Sequence, residues 1–382
     1  MQSEELLAKL VSYPTISSDS NLELINFIAT YLKNLGIDSQ LVHNEEKSKA
    51  NLYAVVGPQN KPGIMLSGHT DVVPVSGQSW SADPFVLRKD HEKLYARGSA
   101  DMKGFIACVL SVLGKLNPQE LVTPIHLAFS YDEEVGCIGV RRLLDMLQGA
   151  SVKPKYCIVG EPTLMQPVIA HKGKTAVRVS LTGSECHSSL APQGLNAIYL
   201  ASDMINAIRA LQQSLINDGH HDHDYDISHT TLHVGVIDGG TALNIVPNRC
   251  EFIFEIRNLP EDSPEALIVE LREKAKLIVA SHSNQFPEAS IELDIYNTYP
   301  ALSTPTDSDI VQLVKELTGA NRTGKIAFGT EGGLFTEQLQ IQTIVMGPGS
   351  IEQAHKPDEF ITQSELRKCD EFLLKLVQAL SE

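Results

Sequence analysis

Two histidines and several acidic residues lie in turn-like segments of the chain, and their types suit a pair of divalent metal ions. Imidazole nitrogens and carboxylate oxygens are the ligands that catalytic zinc sites use. The five candidate ligands are His69, Asp101, Glu134, Glu161 and His355. Glu133 is left over beside Glu134 and could act as a base toward a water molecule. This set predicts a metal-dependent hydrolase.

Several of these candidates follow short apolar runs of the sequence. Each run is bounded by turn residues and is too short for a buried helix, so we predict a buried strand at each. The runs are Ile64–Ser67, Ile125–Ser130 and Tyr156–Val159. They lead into His69, the Glu133–Glu134 pair and Glu161. Because open α/β sheets place their sites at the carboxyl ends of parallel strands, we expect these residues to meet at one sheet edge.

The other candidates are weaker when each is considered alone. Asp71 alternates with His69 along an extended segment, which suits an acid that fixes the second ring nitrogen of the histidine, but a surface turn explains the pair equally well. Asp101 precedes a predicted helix and could simply be its N-cap. His355 follows the glycine-rich turn Gly347–Ser350, and a lone histidine is more often structural than a ligand. Their combination with the strand-end acids favours the metal site.

The segment His220–Asp224 also has the composition of a metal-binding tract. It lies between a predicted helix and a predicted strand, where a polar loop explains it, so we predict no metal there. The sequence contains neither a serine nucleophile elbow nor a catalytic cysteine context.

Composition narrows the class of protein. A chain of 382 residues with 42% hydrophobic and 20% charged residues is typical of a globular protein with two domains. The formal net charge of −16 argues against nucleic-acid partners and against an anionic membrane surface. No apolar run approaches a membrane span, and the acidic N-terminus lacks the features of a signal peptide. The scattered cysteines are expected to be reduced thiols in a cytoplasmic protein: Cys108, Cys137, Cys157, Cys186, Cys250 and Cys369.

The order of predicted elements divides the chain. Helices and strands alternate in the first part, which predicts an α/β domain with a mainly parallel sheet and helices on both faces. From about Thr175 the pattern becomes β-α-β-β-α-β, the order of a ferredoxin-like α+β domain. The αβ alternation resumes after Tyr299–Pro300. We therefore predict a discontinuous catalytic domain of residues 1–174 and 298–382, interrupted by an inserted domain of residues 175–297.

Four motifs together resemble the zinc-dependent aminoacylase/carboxypeptidase-type metallopeptidase family. They read GHTDVVP, ARGSADMKG, SYDEE and GEPT, and the resemblance extends over nearly the whole chain. It implies one metal held by His69, Asp101 and Glu161. It implies a second metal held by Asp101, Glu134 and His355. The resemblance also implies that Glu133 is the general base and that Asp71 orients the first histidine.

The family resemblance assigns a role to the inserted domain. It implies that this domain forms a homodimer and supplies a histidine to the site of the neighbouring subunit, and here His187 matches that position. The chain departs from the family at the preceding residue, Cys186, where glycine or alanine is usual. Asn244 and Arg257 match positions that contact substrate. An arginine fork is suited to bidentate pairing with a substrate carboxylate.

Two segments discriminate within the family. Phe328–Gly333 and Gly347–Glu359 resemble the branch that hydrolyses N2-acetyl-L-ornithine to ornithine and acetate, a reaction of arginine biosynthesis. The chain lacks the Ser-Gly-Gly-Thr-Ser-Asp run of the desuccinylases. From these segments we expect Thr330, Glu331 and Gly349 to contact the small N-acyl amino acid substrate, with Glu331 facing its side-chain amine.

Other activities and metals fit part of the sequence. The alternative enzymes are an N-succinyl-diaminopimelate desuccinylase, a general aminoacylase and a dipeptidase of the same family. A non-catalytic metal-binding protein is the alternative from another class, although it would be expected to have lost at least one of the site residues. Two histidines and three carboxylates favour Zn²⁺, and Co²⁺ or Mn²⁺ suit the same donors.

Overall fold

The computed structural model describes all 382 residues, which form nine α-helices and eighteen strands. The helices are α1 Ser3–Val11, α2 Leu22–Asn34, α3 Lys103–Leu113, α4 Val140–Gln148, α5 Ala197–Asp218, α6 Pro264–Ala280, α7 Asp309–Thr318, α8 Gly332–Leu339 and α9 Gln363–Ser381. The strands of the first half are β1 Ser39–His43, β2 Ala50–Val56, β3 Ile64–His69, β4 Arg88–Asp90, β5 Lys93–Tyr95, β6 Ile125–Ser130, β7 Tyr156–Pro162, β8 Val168–His171, β9 Lys174–Thr182 and β10 Cys186–His187. Those of the second half are β11 Thr231–Gly239, β12 Ile245–Val246, β13 Arg249–Arg257, β14 Ser290–Tyr299, β15 Leu302–Ser303, β16 Gly324–Ile326, β17 Gln342–Gly347 and β18 Phe360–Thr362.

The chain folds into two compact units. The first comprises residues 1–170, 302–325 and 330–382. The second comprises residues 171–301 and 326–329. None of the helices in either unit has both the length and the apolar character needed to cross a membrane.

The first unit is built on a nine-stranded sheet with the order β1-β2-β6-β3-β7-β17-β8-β15, in which β16 pairs with β8. The four central strands, β6, β3, β7 and β17, run parallel to one another. Strand β2 pairs antiparallel with β6 at one side, and β8 pairs antiparallel with β17 at the other. The expected α/β class with a mainly parallel sheet is confirmed.

Burial explains why the central strands lack an alternating pattern. Every residue of β3 and of β6 is buried, so apolar side chains predominate on both faces of these strands. Helix α3 is likewise buried along its whole length and packs against β3, α1 and α9. A helix that is apolar on all sides belongs in a core, and this one fixes the segment that precedes it, residues 97–102, beside the sheet.

The second unit is a four-stranded antiparallel sheet with the order β11-β13-β9-β14. Alternate residues of its strands, such as Val177, Val179, Phe252 and Phe254, form a core with helices α5 and α6. In order of sequence the four strands are arranged 2-3-1-4 across the sheet, with a helix after the first and the third. This is the ferredoxin-like arrangement that the sequence predicts.

Candidate metal centre

The four parallel strands bring the strand-end residues to one edge of the sheet. His69 is the last residue of β3, and Glu161 lies near the end of the adjacent strand β7. Glu133 and Glu134 follow the end of β6, on the other side of β3. His355 follows β17 in a loop beyond Gly347. The sequence order of these residues is unrelated to their proximity, which comes from the parallel pairing of the strands.

Asp101 lies between the two histidines. Its Oδ1 is 3.0 Å from Nε2 of His69, and its Oδ2 is 3.2 Å from Nε2 of His355. Nε2 of His355 is also 3.1 Å from Oε2 of Glu134, while Nε2 of His69 is 3.7 Å from Oε1 of Glu161. A carboxylate whose two oxygens face different imidazoles has the arrangement required to bridge two cations.

The ligand atoms form two overlapping groups. One potential ligand atom each from His69, Glu133 and Glu161 lie within 4.8 Å of one another, and the same holds for His69, Asp101 and Glu134. His69 is therefore common to both groups, whereas the resemblance implies that it holds one metal only. A carboxylate oxygen of Glu133 is thus close enough to His69 and Glu161 to bind the same ion. Which ion each of the five expected ligands holds stays a prediction.

The histidines of this cluster bind protons tightly. Burial by itself would lower the pKa of His69, but its hydrogen bonds with Asp101 and Asp71 outweigh burial and raise the pKa well above 6.5. Hydrogen bonds with Asp101 and Glu134 raise the pKa of the exposed His355 to about 10. A divalent cation in the position of either imidazole proton would be bound by the same carboxylates. The set of ligand atoms therefore fits divalent metal ions.

The glutamates of the cluster also have raised pKa values, which for a carboxyl favours the neutral form. Burial, with Glu134 and Glu331 nearby, raises the pKa of Glu133 to about 8. Burial and the neighbouring Asp101 raise the pKa of Glu134 to about 7 and that of Glu161 well above 4.5. Divalent cations among these side chains would favour the ionised form of every carboxylate and the neutral form of both imidazoles.

Metal binding by this site is expected to release protons. At pH 7 the imidazole of His355 and a fraction of the Glu134 carboxyl are protonated because their pKa values are raised. Each must lose its proton before it can bind a metal, so affinity should rise with pH up to about 10, and at pH 7 the ion held by these two residues should displace about one proton or more. Calorimetric Zn²⁺ titrations of chelator-stripped protein, in buffers of different ionisation enthalpy, measure this number. A binding enthalpy that is independent of the buffer would contradict it.

Asp71 is fixed beside His69, but in a different way from the one expected. Nδ1 of His69 lies 2.9 Å from the main-chain oxygen of Asp71 and 3.6 Å from its carboxylate. The carboxylate instead accepts hydrogen bonds from Oγ of Ser17 (2.7 Å) and from the main-chain nitrogens of Glu133 (3.1 Å) and Glu134 (3.3 Å). Asp71 therefore orients the imidazole mainly through its carbonyl and holds the two-glutamate loop in place through its side chain.

The comparisons with known proteins agree with this geometry. The family model for peptidase family M20/M25/M40 matches residues 65–379 of the chain. The chain belongs to this family. It is 33% identical over 380 residues to the acetylornithine deacetylase of Aliivibrio salmonicida (strain LFI1238), an alignment that covers 98% of this chain and 97% of that protein. As a member of the M20 family, the chain is a metal-dependent amidohydrolase.

Solved structures share the fold over the full length of this M20 family member. A metallo-carboxypeptidase of the M20 family from Sulfolobus solfataricus is 20% identical, with a TM-score of 0.80 and coverage of 100% of both chains. A dinuclear metal-binding peptidase of the family from Bacillus subtilis is 17% identical, with a TM-score of 0.69 and coverage of 98% of this chain and 96% of that one.

Two of the predicted residues of the inserted unit are neighbours. The short strands β10 and β12 pair so that His187 lies opposite Ile245, the residue after Asn244. The imidazole and Asn244 are both exposed. Nδ1 of His187 accepts a hydrogen bond from the main-chain nitrogen of Ser189 at 3.1 Å, so its proton is on Nε2. This histidine presents an N–H donor to solvent.

Arg257 is in the same unit, and its guanidinium already has partners. Nε and Nη2 bind the two carboxylate oxygens of Glu255 at 3.1 and 3.2 Å, and Nη1 donates to the hydroxyl of Tyr299 at 3.0 Å. A substrate carboxylate at Arg257 would have to share this guanidinium with Glu255. Its role as a substrate contact stays a prediction.

The remaining three predicted contacts are in the first unit. The hydroxyl of the buried Thr330 accepts from the nitrogen of Gly332 at the start of α8. Gly349 has φ +88° and donates its N–H to Glu365. These interactions belong to the fold, and substrate contact at both positions stays a prediction. Glu331 differs, because it is 1% exposed and its Oε1 has no hydrogen-bond partner.

Proposed function

We propose that the protein hydrolyses N2-acetyl-L-ornithine to L-ornithine and acetate at a dinuclear metal centre. The observation that carries this proposal is the position of Asp101, whose two oxygens face His69 and His355 amid the glutamates. The likeness to an acetylornithine deacetylase over nearly the whole chain supports the choice of substrate. The reaction would place the enzyme in arginine biosynthesis.

The metal ions proposed are two Zn²⁺, for which Co²⁺ can substitute, because both take imidazole and carboxylate ligands. The residues that would hold them are His69, Asp101, Glu134, Glu161 and His355. When bound, such ions polarise a carbonyl group and lower the pKa of water. The likeness to a dinuclear metal-binding peptidase supports a centre with two ions.

Glu133 is proposed to move the proton. Its carboxylate is close to both His69 and Glu161, and its Oε1 accepts a weak hydrogen bond from the thiol of Cys137 at 3.4 Å. Burial and the neighbouring acids raise the pKa of this carboxyl to about 8, and bound cations would favour its ionised form, which is the form that can accept a proton from water. Glu133 would take the proton of the attacking water and then deliver it to the departing amine of ornithine.

His187 is proposed to stabilise the oxyanion that forms when water adds to the acetyl carbonyl. Its Nε2–H is an exposed donor, and the inserted unit holds the ring through Ser189. We propose that the unit forms a homodimer and that this donor serves the neighbouring subunit. Exposed apolar side chains on the edge strand β11, Val236 at 59% and Ile237 at 52%, support an interface there.

The variant His187→Ala is expected to lower kcat by roughly 10²–10³-fold and to leave the metal content unchanged. Loss of one oxyanion donor typically has an effect of this size, and His187 belongs to neither group of metal ligands. Steady-state kinetics combined with metal analysis of the purified variant test this. A variant with normal kcat, or one that loses metal, would remove His187 from the proposed role.

Glu331 is proposed to bind the side-chain ammonium of the substrate. It is a buried carboxylate with one unpartnered oxygen, and burial raises its pKa to about 7. An ammonium beside it would satisfy that oxygen and favour the ionised form. Substrate carboxylate binding is assigned to Arg257, and Asn244, Thr330 and Gly349 complete the proposed contacts.

The variant Glu331→Gln is expected to discriminate between substrates. A hydrogen bond to a charged group contributes about 1.5–3 kcal/mol, so KM for N2-acetylornithine should rise roughly 10- to 150-fold. N-acetylmethionine has no side-chain charge and is the matched control, for which KM should change little. Equal changes for the two substrates would show that Glu331 does not recognise the amine.

The protein is proposed to act in the cytoplasm, which its free cysteines support. All six are unpaired, and five of them are buried thiols. Thiols persist in the reducing environment of the cytoplasm.

A comparison of acyl groups tests the choice of substrate. N2-acetylornithine and N-succinyl-diaminopimelate are offered separately to the Zn²⁺-loaded protein, and amine release is measured. We expect kcat/KM to favour the acetyl substrate strongly. A preference for the succinyl substrate would overturn the assignment of substrate and keep the reaction type. Hydrolysis of other N-acetyl amino acids or dipeptides at equal rates would indicate a general aminoacylase or dipeptidase.

A further inference from the structure

One buried carboxylate outside the ligand set receives four N–H groups. Glu359 is 1% exposed. Its Oε2 accepts from Nη1 of Arg97 at 2.8 Å and from the nitrogen of Gly98 at 3.1 Å. Its Oε1 accepts from the nitrogen of Ala100 at 2.9 Å and from that of Asp101 at 3.2 Å. The side chain therefore fixes the main chain of the segment that ends in the bridging aspartate.

Glu359 also belongs to the loop that carries His355. Its own main-chain oxygen accepts from the nitrogen of Ala96 at 3.1 Å, so the loop is attached to the Asp101 segment at a second point. One residue thus connects the two segments that carry Asp101 and His355. These are the residues whose side chains meet at 3.2 Å in the metal centre.

A second set of hydrogen bonds connects the same two segments. Nη2 of Arg97 donates to Oε1 of Gln78, and Nε2 of Gln78 donates to the main-chain oxygen of His355 at 3.0 Å. The indole N–H of Trp80 donates to the same Oε1 of Gln78 at 3.1 Å. Gln78 therefore connects Arg97, in the segment before Asp101, with the main chain of His355.

The buried ion pair is a poor source of net stability, which argues for a positional role. Arg97 and Glu359 are each only 1% exposed at the side chain. Removing two charges from water costs several kcal/mol, and the attraction between them typically offsets little more than that cost. The carboxylate instead fixes the conformation of residues 97–101, because four donors of this segment must converge on its two oxygens.

We propose that Glu359 is a positioning residue of the metal centre, which holds Asp101 and His355 at the spacing that a shared divalent ion requires. This inference rests on the proposed function. Glu359 contacts neither substrate nor metal in this account. It acts through the ligands, and its removal should weaken the ion held by Asp101, Glu134 and His355 more than the other ion.

The variant Glu359→Gln tests this with little change of shape. The amide has one acceptor oxygen in place of two, so either the Arg97–Gly98 donors or the Ala100–Asp101 donors face an NH₂ group. Groups that orient metal ligands typically change metal affinity 10- to 100-fold when they are removed. We expect Co²⁺ titration of the chelator-stripped full chain, followed calorimetrically, to show one of two dissociation constants raised by roughly that factor. Raising free Co²⁺ should restore kcat.

Two further variants keep the test decisive. Gln78→Ala removes a half-buried neutral link of the network and should raise the same dissociation constant by a smaller factor. Asp370→Asn is the control, because this part-buried carboxylate binds Ser3 and has no contact with the metal centre. It should titrate like the wild type. Thermal melts of the metal-free variants show which of them fold.

The outcomes separate the two proposals. Wild-type titrations for both Glu359→Gln and Gln78→Ala would overturn the positioning role and leave the proposed function intact. If Glu359→Gln does not fold, Gln78→Ala decides, and unchanged affinity there overturns the proposal. Wild-type protein that takes up no Co²⁺ would overturn the proposed function itself.

Discussion

Glu133→Gln is expected to lower kcat on N2-acetylornithine by roughly 10³–10⁴-fold while the protein keeps both metal ions. The amide is close in shape to the carboxylate but cannot take a proton from water, so the general-base contribution is lost. The other groups that the proposal places around the substrate are unaffected by this change. KM should therefore change much less than kcat, and steady-state kinetics with metal analysis measure both.

The neighbouring acid provides a matched comparison for this prediction. Glu134→Gln makes the same chemical change one residue later, at a side chain 3.1 Å from Nε2 of His355. It should lower metal affinity, and part of its activity should return at high free metal. If Glu133→Gln lost metal as well, the base would have to be reassigned, since Glu133 lies within ligand distance of His69 and Glu161.

Asp101→Asn is expected to abolish measurable activity and to remove at least one of the two ions. The carboxylate faces both histidines, and its pKa lies below the usual range because its hydrogen bonds with His355 and His69 outweigh the effect of burial. An asparagine offers one oxygen and no charge, so it cannot bridge two cations. Loss of a buried charge also leaves His69 and His355 without their common partner.

Metal stoichiometry and activity after chelator treatment and reloading measure this effect. Asp309→Asn is a suitable control, because that carboxylate also has two partners, Lys155 and the hydroxyl of Tyr156, at the opposite end of β7 from Glu161. It should reload and turn over normally. Full activity with two ions in Asp101→Asn would exclude the bridging role.

The elements that carry most of the site could be predicted from the sequence. The runs at Ile64, Ile125 and Tyr156 are mostly apolar because their strands are buried on both faces, and this pattern is strong enough to identify them. The inserted unit was predicted in its element order because its half-exposed strands alternate and its helices begin at Asn196 and Ser263 caps.

Two helices of the first unit have weak sequence signals, for different physical reasons. Helix α8 begins with Gly332–Gly333, and glycine disfavours helix by about 1 kcal/mol per residue, so only tertiary packing specifies it. Helix α1 has nine residues, which is too short to be stable by itself. It is held by packing against α3.

The ligand types could be proposed from the sequence, but their mutual arrangement could not. That Asp71 orients His69 through its carbonyl depends on the turn after β3, which composition does not specify. Glu359 was missed because its contact with Asp101 joins residues 258 positions apart. The available signal was an acidic residue four positions after His355 in the chain.

The most direct test of the account is the dependence of activity on added metal. Chelator-stripped protein is titrated with Zn²⁺ while ornithine release from N2-acetylornithine is followed. We expect no activity without metal and a rise to a plateau that is complete at two ions per chain. Activity that persists in the stripped protein, or saturation with metal bound and no hydrolysis of this substrate, would contradict a dinuclear acetylornithine-hydrolysing centre.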